Sequence, residues 1–419
     1  MRRIVLLFLF LMPLYAVCQR RTDRRITEDV KAVTDSLKDN GQGGTIAGTP
    51  GQISQAGYIA HQMEQSGIPP APGGYLQSFS VDEGKMPAPS CGLKLAGNPI
   101  TLGSGFFPLP FSATASLHDT PLVSVQEQGS VWIIPVTDPS GPGYDFSDSL
   151  YQKAGQAASD GASAVVFYSP GDTNPTFRFD AGDLHPVLAI PVVYVSHAVA
   201  SRYFLNDSGS VDLELHCSVI QRTIRGYNVV GFIDHHAPAT MLVSAHFDHP
   251  AGSPENAGAI ATLMELGRMI QEGKNSATNY LFIAFGGRGD GMEGASWFGS
   301  QKMEVPKPDA VINLDLDSPR AGEGALEVSG MATSSGWKSA LDAARDSKIP
   351  WKIPSEDSLV SPSLVFARQG IPSITVYGDM GLVQGQEPGK TSVREIRQLF
   401  KLVQAAGSPG KLSYHPPAR

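Results

Sequence analysis

The alternation of short apolar runs with helical stretches between Gly226 and Gly407 constrains this chain more than any other feature. Apolar runs at Asn228–Ile233, Met241–Ala245, Tyr280–Phe285 and Ala310–Leu314 read as strands, and Ala257–Gln271 and Ser392–Ala405 read as helices. Strands separated by helices of about ten residues or more predict an α/β fold, with a mostly parallel central sheet covered by helices on both faces. Such sheets place their sites just past the C-terminal ends of the strands. Four places therefore matter: the segments beginning at His246, Gly286 and Asp315, and the one after Val376.

Upstream, two amphipathic helical stretches lie between Thr27 and Val81, the second being Ile53–Ser66. A turn-rich Pro69–Gly74 precedes the strand-like Tyr75–Val81. Between them and the alternating region, residues 98–222 contain strand-like Val131–Val136, Ala164–Tyr168, Ile190–Val195 and Val211–Cys217, with a helical stretch over Ser149–Ala158. That is enough for a small α/β domain of its own. With 419 residues the chain has room for two cores. The expected organisation is one discontinuous domain from 27–97 and 223–407, interrupted by a smaller one at 98–222.

The first residues, Met1-Arg2-Arg3 followed by an unbroken apolar run from Ile4 to Leu14, read as an export signal too short to remain in a bilayer. Small residues at Ala16 and Cys18 place cleavage after Cys18, so 1–18 is the expected signal peptide and the destination is periplasmic or extracellular. A lipid on Cys18 is the alternative, which the bulky Val17 disfavours. No later stretch reaches the roughly twenty apolar residues of a membrane span. A formal charge of −8 without a basic block excludes electrostatic recognition of nucleic acid. Loss of Cys18 leaves Cys91 and Cys217, and their spacing leaves open whether they pair.

Chemistry-bearing side chains collect at the predicted strand ends. His246-Phe247-Asp248-His249 follows one strand, Glu255 precedes the helix that begins near Asn256, and Asp315 ends another strand. Each has a bland reading: a satisfied histidine, a carboxylate at a helix N-terminus, a turn cap. Three unrelated caps do not explain why all three sit at the same edge of one parallel sheet.

Together these motifs resemble the aminopeptidase-type family of co-catalytic zinc exopeptidases, which includes glutamate carboxypeptidase II, the glutaminyl cyclases and nicastrin. The family's H-x-D-H resembles His246-Phe247-Asp248-His249, and its D-N-A-S-G resembles Glu255-Asn256-Ala257-Gly258. Its G-x-E-E-x-G-L-x-G-S resembles the segment from Gly286 to Gly294, and its I-N-L-D is Ile312-Asn313-Leu314-Asp315 unchanged. Gly48-Thr49-Pro50-Gly51 resembles the family's N-terminal segment, and 98–222 resembles the protease-associated domain often inserted there.

The resemblance implies a site, residue by residue. His246 falls on the first zinc ligand, with Asp248 as the carboxylate that orients it. Glu255 falls on the bridging aspartate and Asp315 on the later aspartate ligand. The two adjacent glutamates, general base and ligand, fall on Arg288 and Gly289, and the last histidine ligand falls on Gln384. A Ser-Asp-His segment is here Ser361-Pro362-Ser363. One metal position thus keeps His246, Glu255 and Asp315, while the other loses Gly289 and Gln384. A guanidinium at Arg288 cannot accept a proton near neutrality. The expectation is a degenerate site, with no metal or one divalent metal where the family holds zinc. No catalytic residue is intact, and the cleft or the inserted domain is kept for binding a peptide or protein. The alternative is an active exopeptidase cleaving N-terminal peptide bonds with one metal and a relocated base. Asp290 and Glu293 are the nearby candidates, at the expense of moving Gly286, Gly291 and Gly294 out of register.

Overall fold

The computed structural model describes residues 21–39, 43–137, 145–171, 178–205, 209–251, 256–273, 277–287, 289, 291–301, 304–318, 324–355, 359, 361–378 and 390–416. The 1–18 segment, Glu255, Arg288, Asp290 and Gln384 lie outside them. The chain divides into two compact units, Met1–Val81 with Arg225–Arg419, and Asp82–Ile224.

The larger unit is built on an eight-stranded sheet. In spatial order its strands are Leu76–Pro87, Val219–Ile233, Asn279–Phe285, Thr240–His246, Ala310–Asp315, Ser373–Gly378, Leu326–Ser329 and Trp351–Lys352. The four central strands, from Asn279–Phe285 to Ser373–Gly378, run parallel. Val219–Ile233 and Leu326–Ser329 flank them antiparallel. Thr240–His246 and Asn279–Phe285 are buried almost throughout, which explains their continuous apolar sequence. One face of the sheet packs Ile26, Leu37, Ile59, Met63, Ile260 and Leu399 from long helices that include Pro50–Gln65, Ala257–Glu272 and Lys390–Gly407. The other face packs Phe285 against Phe298 and Phe366 from the shorter helices Met292–Ser300 and Pro362–Arg368. This is a mixed α/β fold with helices on both faces.

The smaller unit holds two four-stranded sheets. Asn98–Ile100, Gly92–Leu95, Leu213–Cys217 and Ala115–Asp119 form an antiparallel one. Phe106–Pro108, Val192–Val195, Ala164–Tyr168 and Val131–Pro135 form a mixed one. The unit begins at Asp82 rather than at 98, because Gly92–Leu95 is a central strand of the first sheet. The Pro- and Gly-rich composition around it hid that strand from a periodicity argument. Cys91 and Cys217 are both free and buried. The Cys91 thiol donates to the Ser218 carbonyl at 2.9 Å, and Cys217 Sγ lies 3.0 Å from Ser112 Oγ. No helix among the described residues is long and apolar enough to cross a membrane.

Candidate active site of the larger unit

Sheet register builds the site. Ala245 pairs with Leu314, and His246 with Phe285, so His246 and Asp315 end neighbouring parallel strands at the same level. Asp315 in turn pairs with Tyr377. Phe285, His246, Asp315 and Tyr377 therefore form one row along the C-terminal edge of the sheet. Two residues below, on the same face, Ser244 pairs with Asn313 and Asn313 with Thr375. Ser244 Oγ donates to Asn313 Oδ1 at 2.9 Å. Ser361, Ser363 and Thr375 form a buried hydroxyl cluster beside this row. Ser361 and Ser363 lie 2.7 Å apart, Ser363 lies 2.7 Å from Thr375 Oγ1, and Ser361 also bonds Thr375.

The helix Ala257–Glu272 starts against His246. Asn256, its N-cap, makes no side-chain cap bond of its own. Instead its Nδ2 donates to the His246 carbonyl at 3.1 Å and lies 3.5 Å from His246 Nδ1. The cap comes from elsewhere in the chain: Asp317 Oδ2 accepts the Gly258 amide at 2.8 Å. Sequence reasoning passed over Asp317, although its place two residues beyond Asp315 in a strand-end segment marks it in retrospect.

Asp248 is tied to the loop that follows Phe285. It is fully buried, and its Oδ2 accepts the Gly289 amide at 2.6 Å and the Gly291 amide at 3.2 Å. Among the described residues it makes no hydrogen bond to the His246 ring, and its Oδ1 has no partner. Burial raises its pKa above the ordinary carboxylate value, while a charged His246 and the two loop amides pull the other way. Gly289 itself stands at φ +131°, a backbone conformation that side-chain-bearing residues rarely adopt.

The same loop is locked in register. Asn228 is fully buried; its Oδ1 accepts the Gly286 amide at 3.2 Å and its Nδ2 donates to the Gly294 carbonyl at 3.0 Å. A Cβ on Gly294 would collide with Asn228 Oδ1 and the Gly286 carbonyl. A slip that brings Asp290 or Glu293 to the base position is thus opposed sterically. Glu293 nonetheless reaches the loop from the first turn of its helix: a Cβ placed on Gly287 would meet both its Oε2 and Asp248 Oδ2. The segment 43–47 is bonded to the same strand end and loop. Thr45 donates to the Phe247 carbonyl at 2.9 Å and accepts the His249 amide at 3.0 Å, and the Ala47 amide donates to the Gly287 carbonyl at 2.6 Å.

These groups fit a metal only in part. His246 and Asp315 stand side by side, and Asn256 Oδ1, without a partner among the described residues, is buried next to them. Among the described residues no three His, Cys, Asp or Glu side chains come together as a cation site. Gly289 supplies no side chain, and its amide is engaged by Asp248.

Residues 228–418 match peptidase family M28. The larger unit carries a peptidase family M28 domain. Several solved structures are similar to the chain. An aminopeptidase from Aneurinibacillus sp. strain AM-1 is 18% identical, with 95% of this chain and 100% of that chain covered and a TM-score of 0.48. BSAP, a zinc aminopeptidase from Bacillus subtilis, is 17% identical over 93% and 95% of the two chains, with a TM-score of 0.43. A glutaminyl cyclase from Fimbriiglobus ruber is 12% identical over 91% and 95%, with a TM-score of 0.44. No curated protein matches the chain.

Proposed function

We propose that the M28 domain is a degenerate exopeptidase whose cleft serves to bind a peptide or protein rather than to cleave one. The observation that supports this reading is the Asp248–Gly289 bond: Gly289, which the family resemblance aligns with a zinc-binding glutamate, meets Asp248 through its backbone amide. Zinc sites of this family's kind rest on carboxylate and imidazole ligands, and Gly289 offers neither. Arg288 at the general-base position removes the proton acceptor, a loss that typically lowers rate by roughly a hundred- to ten-thousand-fold. At most one divalent metal is held, through His246, Glu255 and Asp315. The chain is exported with cleavage after Cys18, and the smaller unit is a protease-associated domain that shares the binding role.

The decisive experiment pairs metal analysis of the purified protein with an aminoacyl-reporter assay in added zinc. Background turnover and no more than one equivalent of metal are expected. Two equivalents of tightly bound zinc, or turnover abolished by His246→Ala, would overturn the reading. A single-metal hydrolase is the second reading, favoured by the approach of Glu293 to Gly287 without any slip of register. Turnover lost in Glu293→Gln would identify it.

A further inference from the structure

The smaller unit contains a histidine held by two carboxylates at once. His185 Nδ1 lies 3.0 Å from Asp183 Oδ2, and Nε2 lies 3.2 Å from Asp148 Oδ1. Asp148 sits in the first turn of the helix Phe146–Ser159, whereas Asp183 and His185 belong to the segment that crosses over it. The ring stacks on Tyr151 of the same helix at 4.4 Å and meets Phe111 edge-on at 5.9 Å. Asp183 is buried, receives Ser147 Oγ at 2.9 Å and has the Lys85 ammonium 3.7 Å away. The crossing segment is tied by backbone bonds at its ends, Lys85 to Ala181 and Leu188 to Phe111. Between those ties the segment reaches the rest of the unit through Asp183, which accepts from Ser147 Oγ and faces Lys85, and through His185, whose carbonyl accepts from Lys85 and whose ring meets Asp148. Leu184 and Val187, on either side of the histidine, are 94% and 62% exposed.

An ionised carboxylate only accepts hydrogen bonds, and a neutral imidazole has a single N–H. Both contacts can be hydrogen bonds only when the ring carries both protons. We propose that His185 is a proton-operated latch: charged, it fastens residues 182–187 to the helix Phe146–Ser159, and neutral, it releases one carboxylate and loosens the segment that displays Leu184 and Val187. The hydrogen bond to Asp183, with Asp148 adding to it, raises the imidazole pKa above its ordinary 6.5 despite partial burial. At Asp183, burial favours the neutral acid, but the bonds from His185 and Ser147 outweigh it and lower the carboxyl pKa. Because the folded imidazole value is raised, the latch is closed below about pH 6.5 and opens as pH climbs through the raised value. Lys85 is the other charge facing the pair.

Hydrogen exchange of the full-length protein between pH 5.5 and 9, corrected for base catalysis of exchange, tests the latch. Protection of the 182–187 amides is expected to fall with rising pH, while that of the Ala164–Tyr168 strand is unchanged. Asp148 is half exposed, so Asp148→Asn should leave the fold intact and move the midpoint to lower pH. His185→Gln should give weak protection at every pH. Protection in the wild type that does not vary with pH, an unmoved midpoint in Asp148→Asn, or the same pH dependence in His185→Gln would each overturn the proposal.

Discussion

Gly289 and Asp248 make one demand between them. The positive φ of Gly289 turns its amide onto Asp248, and a side chain there would meet both a strained backbone and Pro250, whose Cδ lies 3.3 Å from the Cβ position. Gly289→Glu, which introduces the residue implied by the family resemblance, is therefore expected to cost about 1–3 kcal/mol of stability and to recruit no second metal. Denaturant unfolding together with zinc titration checks both parts; a stable variant binding two zinc ions would refute both. Cys217 is the opposite case, a residue whose chemistry the fold suppresses. Burial pushes its thiol up to about 12, so the reactive thiolate is scarce at pH 8. Native Cys217 should resist iodoacetamide over hours and react within minutes once unfolded, as peptide mapping would show. The positions of His246 and Asp315 were legible because a strand end in a parallel sheet is a place that periodicity can find. The partner of Asp248 was not, since a hydrogen bond to a loop amide some forty residues along the chain leaves no mark on composition or spacing.

Among elements, the helix Ala257–Glu272 depends on a borrowed cap. Its own N-cap residue faces His246 instead, and Asp317 from the far side of a parallel strand satisfies the Gly258 amide. Asp317→Ala should cost roughly 0.5–2 kcal/mol, the usual worth of a capping side chain, and Asp317→Asn should recover part of it. Equal stability of all three proteins would show that the cap is idle. Strand and helix limits agreed with the sequence to within a residue or two wherever a run was continuously apolar, as for Ala164–Tyr168 and Asn279–Phe285. They failed at Gly92–Leu95 and at the N-terminal half of Val219–Ile233, both rich in polar or small residues. Those stretches become strands because neighbours pair with them, a cause that lies outside their own sequence.

For the whole molecule, the larger unit needs both of its pieces. Ile26, Val30, Leu37, Ile59 and Met63 from the N-terminal helices share one core with Ile260, Leu263 and Leu399. A fragment beginning at Arg225 should consequently lack a cooperative unfolding transition, and co-expression with residues 21–81 should restore one. A sharp transition in the fragment alone would mean that the early helices are dispensable. The division of the chain at Val81 and Arg225 also sets a timetable. A ribosome adding about 5–20 residues per second needs roughly 7 to 30 seconds to make the intervening unit. Throughout that interval the oily sides of the first helices have no strand to lie on, whereas the intervening unit emerges with all of its own sheets and can settle first. Birth order and folding order are therefore reversed for the first eighty residues, which must be shielded, or kept unfolded for passage across a membrane, until the part that completes them has been made.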